Sequence, residues 1–136
     1  MRALLIDPFT CRVRDYELPD APTLGEAWEL MAEVYRALSH DTAAVDSLDG
    51  VLLGATDFLL VDGHGMVRDP PVQRWFRLNG LHHETLAGKG LIVGRKPDSS
   101  ETDTTFAIED VDYRAAFFRR MGASLVQTVT PWRPQQ

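Results

Sequence analysis

His82, His83 and Glu84 stand side by side, and His64 lies two residues beyond Asp62 in the sequence Asp62-Gly63-His64-Gly65, so metal binding is the first chemistry to weigh. The spacing is against it. Adjacent histidines point to opposite faces of a strand and sit about 100° apart on a helix, so a pair closes poorly on one ion. The chain has no His-x-x-x-His and, with Cys11 its single cysteine, no Cys-x-x-Cys. No metal and no other cofactor is expected. Ser39-His40-Asp41 gathers the residue types of a nucleophilic relay, but such relays are assembled across space, not from consecutive positions. His40, just past a helix end, is expected instead to meet unpaired carbonyls. Asp46 with Asp49, and Glu101 with Asp103, lie in polar stretches where little would bury a carboxylate and tune it for acid-base work. Gly88-x-Gly90-x-x-x-Gly94 lacks the Gly-Lys-Ser/Thr ending of a phosphate loop, and its apolar filling reads as strand. No catalytic residue is assigned. An enzyme built on His64, His82 and His83 would need a hollow gathering at least two of those rings.

A run of arginines and aromatics remains. Arg68, Arg74, Trp75, Phe76 and Arg77 interleave positive charge with rings, an arrangement that grips phosphates and stacks bases in single-strand binders. The competing reading has Trp75 and Phe76 filling the core while the arginines reach to water. The candidate binding residues are Arg68, Arg74, Trp75, Arg77, His82 and His83, and Lys96 joins the arginines and Trp75 if the ligand is nucleic acid or another anion.

Charge is distributed unevenly along the chain. The net charge of -6 divides into -8 over residues 1–67, +4 over 68–96 and -2 over 97–136. A basic middle in an acidic protein either pairs with the protein's own acidic faces or meets an anionic partner. Overall acidity opposes the long-range attraction on which nucleic-acid binding depends. Composition is globular, with 44% hydrophobic and 25% charged residues, and 136 residues suffice to bury about two thirds of the unfolded surface in one core. No apolar run approaches the ~20 residues of a bilayer helix, and Asp7 and Pro8 cut short the apolar start, so neither a membrane span nor a secretory signal is expected. A lone cysteine fits a reducing cytoplasm.

The elements that must position these residues follow from periodicity. Residues 3–6 and 13–18 flank a turn of Asp7-Pro8-Phe9-Thr10 and read as a hairpin. Thr23 with Glu26 three residues on is a capping box, and Leu24, Ala27, Trp28, Met31, Val34, Tyr35 and Leu38 recur at three- and four-residue steps, predicting a helix over 23–39. Residues 41–50 read as a connection, with a helical turn around 43–45. Residues 51–53 and 58–61 read as short strands, with Met66-Val67 as a return strand. A short helix starting near Pro71 is expected to carry Trp75 and Phe76, and 88–95 reads as a central strand. Residues 96–104 are expected as an exposed loop and 105–108 as a short strand. A second helix is expected over 111–121, with Phe117, Phe118 and Met121 on one side and Gly122 as its cap. Residues 124–130 would add an edge strand, and its stretch 125–129 leaves a pairable edge that favours self-association. The expected fold class is α+β, a mostly antiparallel sheet with two main helices, as a single domain over 1–130 with a tail over 131–136.

Three stretches resemble domain of unknown function 3846, a bacterial, phage and plasmid family. They are Arg2-Ala3-Leu4-Leu5-Ile6-Asp7-Pro8 with the strand that follows Cys11, then Leu59-Leu60-Val61-Asp62-Gly63-His64-Gly65-Met66 running to Pro70-Pro71, and Gly88-Lys89-Gly90-Leu91-Ile92-Val93-Gly94. Val72 stands where that family often carries Asn. The resemblance covers about residues 1–95 and implies a small accessory protein of a mobile genetic element that acts on host proteins.

The functional expectation is a non-enzymatic protein-interaction module, docking through the basic aromatic segment or an acidic face. In one form, the acidic first half occupies a host protein's basic groove. The alternative is a nucleic-acid or anionic-ligand binder using segment 68–96.

Overall fold

The computed structural model describes residues 1–20, 24–40, 45–65, 73–96 and 101–128, with residues 24–27 described by backbone alone. Strand β1 (Arg2–Asp7) is apolar on both sides: Ala3 and Leu5 alternate with Leu4 and Ile6, and all four are fully buried. Such a strand must be covered on both faces, which places it inside the sheet. It pairs with β2 (Arg12–Glu17) through the expected hairpin and, on its other side, with β7 (Gly90–Arg95). Leu91, Ile92 and Val93 make β7 equally apolar. β3 (Leu48–Leu53) and β4 (Asp57–Asp62) form a second hairpin that joins β7, giving the antiparallel order β2-β1-β7-β4-β3, with β7 in the middle as expected.

One face of this sheet carries α1 (Leu24–Leu38), which packs Leu30, Val34, Ala37 and Leu38 onto Ala3, Leu5, Leu91 and Val93. Trp28, expected on that apolar face, is 75% exposed. The face used is centred on Leu30, Val34 and Ala37, and at 100° per residue Trp28 falls more than a right angle from it. At the helix end, the Lys89 ammonium donates to the Ser39 carbonyl at 3.0 Å. His40 does not serve there and stacks on Phe9, ring centroids 3.7 Å apart.

The other face carries a second, four-stranded sheet. It comprises β5 (Trp75–Leu78), β6 (Leu86–Ala87), β9 (Ala115–Met121) and β10 (Ser124–Gln127) in the order β10-β9-β5-β6. The helix expected to carry Trp75 and Phe76 is therefore strand. The helix expected over 111–121 is two elements, α2 (Ile108–Arg114) and β9. Phe117 and Phe118 are both buried, on opposite sides of the sheet, which a strand's alternation achieves and a helix does not. Gly122, at φ 63°, is the first position of the two-residue β9–β10 turn instead of a helix cap. Residues 105–108 form no strand and lead into α2, whose first turn carries Glu109 and Asp110 as the helix dipole favours.

Between the sheets lie Leu4, Ile6, Leu59, Val61, Ile92, Phe76, Leu78 and Phe117. Phe76 seats against Gly90, where an added Cβ would come within 2.6 Å of the ring. That close approach explains one glycine of the false phosphate-loop pattern; Gly94 explains another, because a Cβ there would meet the Asp103 carbonyl oxygen. The expected loop over 96–104 contains β8 (Glu101–Thr102), paired with β7, and the buried Thr104. Two helices on antiparallel sheets make this an α+β fold, as the sequence predicts. No helix among the described residues is long and apolar enough to cross a membrane. The Thr23 cap, the turn at 43–44, the Met66-Val67 strand, Pro70-Pro71 and the tail lie outside the described residues.

Candidate functional site

Alternation in the second sheet sorts its side chains. Phe76, Leu78 and Phe117 face the core, so Trp75 and Arg77 of β5, and Ala116, Phe118 and Arg120 of β9, face away from it. Trp75 and Phe118 are cross-strand partners, only 3% and 9% exposed, and form a small apolar cluster with Ala87 and Ala116. Two guanidinium groups lie over these rings: Arg77 over Phe118 at 5.1 Å from the centroid, Arg120 over Trp75 at 5.4 Å. Stacking of this kind orients a charge without neutralising it. Arg77 also donates from Nε to Asn79 Oδ1 at 2.8 Å, a neutral acceptor.

Strands β5, β6, β9 and β10 contain Arg77, Arg119 and Arg120 and no Asp or Glu. Among the described residues, none of these three forms an ion pair with a carboxylate. Carboxylates occur on the other layer, in α1, in β4 and in β2, where Arg12 and Arg14 balance Asp15 and Glu17. Within the basic segment 68–96, Lys89 and Arg95 also bond to backbone carbonyls, of Ser39 and Ala55, and Arg95 lies over the Phe58 ring. Arg77, Lys89 and Arg95 thus place their donors on neutral groups. Arg74, at the start of β5, bonds from Nη1 to the Gln73 carbonyl at 2.9 Å. Lys96 is exposed beside Arg95. Arg68 lies outside the described residues.

The structure brings Arg77 to Trp75 through β9 and leaves His82 and His83 apart from them, on the connection between β5 and β6. Their rings tilt against each other at 5.0 Å, and His83 lies 3.7 Å from Glu84, both exposed. His64 is held by its own neighbourhood: its N–H donates to Asp62, and its Nδ1 lies 3.0 Å from Asp46. A shallow groove of about 510 Å³ lies between β4 and β6, lined by Asp49, Asp62 and Glu84 with Val61 and Leu86; no histidine lines it. No group of three or more metal-ligating side chains is found among the described residues, nor any buried side-chain nitrogen or oxygen without a partner.

Sequence reasoning missed Phe118, Arg119 and Arg120. Local spacing held no signal for them: Phe117, Phe118 and Met121 suit a helix, and only the pairing of β9 with β5 sets which side chains share a face. Away from this face, burial and a 2.5 Å hydrogen bond to Glu33 push the Tyr16 phenol up to about 12, linking β2 to α1.

Comparison with protein families, curated proteins and solved structures gives no match to this chain.

Proposed function

We propose that this chain is a non-enzymatic protein-interaction module that docks an acidic protein surface on the outward face of its second sheet, with Arg77 and Arg120 as anchors. One observation carries the reading: the second sheet bears three arginines, no carboxylate, and two guanidinium groups fixed over aromatic rings. Pre-oriented arginines lose less freedom when a carboxylate arrives, and arginine is among the residues that dominate binding energy at interfaces. The rings favour a protein partner over nucleic acid, because Trp75 and Phe118 are buried and offer little face for base stacking. The resemblance of residues 1–95 supports a place among accessory proteins of mobile elements, acting on a host protein in the cytoplasm.

The test is affinity capture from nuclease-treated host lysate, comparing wild type with Arg77→Ala/Arg120→Ala by quantitative mass spectrometry. Proteins with acidic surfaces are expected on the wild type and depleted on the double variant. Identical captured sets would overturn the reading. So would a mobility shift of naked single-stranded nucleic acid that the double variant abolishes.

A further inference from the structure

We infer that the free edge of β10 receives an extended, acidic strand from the partner protein; this rests on the docking reading above and names the form its partner takes. Among the described residues β10 ends the second sheet and bonds to β9 alone in the sheet order, and all four of its residues are exposed. The Thr128 N–H donates to the Phe117 carbonyl at 2.7 Å, which fixes the ladder's phase. In an antiparallel pair, hydrogen-bonded and non-bonded positions alternate. With Val126 opposite Arg119 and Ser124 opposite Met121, residues 124, 126 and 128 therefore direct their main-chain groups to β9. Leu125 and Gln127 direct theirs outward, giving two N–H and two C=O groups to a passing strand.

Within β10 the edge is guarded by neither charge nor proline. Ser124, Leu125, Val126 and Gln127 include no charge and no proline, the devices by which edges are protected from pairing. Charge selects what pairs there. Arg119 is exposed on the same side as its partner Val126, and an added strand would run two strand spacings from β9, about 9.6 Å, within joint reach of arginine and glutamate side chains. Arg120, on the opposite side, is turned toward Trp75, leaving Leu125 as the apolar contact there. The strand that fits presents carboxylates to Arg119 and apolar side chains to Leu125, alternating along its length. A second copy of β10 fits less well: it brings a second Arg119 to the same side and no acid to meet it.

The probe is an acetylated, amidated octapeptide of alternating valine and glutamate, with valine–lysine as control, titrated into the full chain while backbone amide resonances are followed. Saturable shifts are expected at Leu125 and Gln127 with the glutamate peptide alone. Leu125→Pro removes one outward donor and no bond to β9, so it should weaken binding about tenfold with the fold intact. Arg119→Ala should weaken binding about fivefold and flatten its salt dependence, which keeps the inference testable if the proline variant folds poorly. Absence of saturable shifts overturns the inference, as does equal binding of the lysine peptide or a dimer that Leu125→Pro dissociates. If Leu125→Pro captures the partner as wild type does while Arg77→Ala/Arg120→Ala does not, the edge inference fails and the docking face stands.

Discussion

Asp57 is the first residue of β4, fully buried, and its carboxylate is surrounded by donors. Oδ1 accepts from the hydroxyls of Thr56, at 2.8 Å, and Thr105; Oδ2 accepts from the Thr104 hydroxyl at 2.6 Å and the Thr105 N–H at 3.1 Å. These bonds pin residues 104–105 against the main sheet. In Asp57→Ala the exposed hydroxyls of Thr56 and Thr105 turn to water, but the buried Thr104 hydroxyl and the Thr105 N–H lose their acceptor. Charge-assisted bonds contribute about 1.5–3 kcal/mol each, and removing the buried carboxylate returns part of its desolvation cost. The net loss is placed at about 3–4 kcal/mol. Asp57→Asn keeps an oxygen for the Thr105 N–H and directs its amide to hydroxyls that rotate to accept, so it should lose about 1–2 kcal/mol. Urea unfolding followed by tryptophan fluorescence measures both, and an unchanged m-value certifies that stability alone moved. A loss below about 1 kcal/mol in Asp57→Ala would refute the accounting, as would Asn costing more than Ala.

Gly94→Ala places a Cβ 1.9 Å from the Asp103 carbonyl oxygen, so β8 must leave β7. A loss of about 1–3 kcal/mol in urea unfolding is expected, with faster amide exchange at Thr104, whose N–H bonds the Arg2 carbonyl. Tyr16 should titrate about 12, against 10 for a free phenol, in ultraviolet difference absorbance. Because the folded value is raised, its contribution to stability is complete below pH 10 and is lost as pH climbs through about 12; a titration at 10 would contradict it. Arg77→Ala/Arg120→Ala should cost no more than about 1–2 kcal/mol, the worth of two exposed cation–π contacts, so its thermal unfolding stays cooperative.

Where a segment's period had one reading, the sequence disclosed the fold: the hairpin of β1 and β2, the body of α1, and β7 as the middle strand. Runs whose apolar residues suit both periods defeated it. Phe117, Phe118 and Met121 satisfy a helix's spacing, and Phe117 with Phe118 equally satisfies the two sides of a strand; only the presence of β5 as a partner decides. Trp28 went astray because three- and four-residue steps drift round a helix, and it lies more than a right angle from the Leu30, Val34 and Ala37 face that packs on the sheet. Asp57 gave no local sign of burial, since its donors come from its neighbour Thr56 and from 47 and 48 residues away. Of the candidate site, Arg77 and Trp75 were legible as a basic aromatic pair, whereas Arg119 and Arg120 join them through strand pairing that spacing does not reveal.

The most direct measurement of the central claim is the affinity of wild type and Arg77→Ala/Arg120→Ala for the captured partner across salt. Between about 0.1 M and about 1 M the Debye length shrinks from about 10 Å to about 3 Å. An arginine face meeting carboxylates predicts that wild-type affinity falls at least about tenfold over that range, and that the double variant starts weak and changes little. Affinity that ignores salt, or the same salt dependence in both proteins, would contradict it.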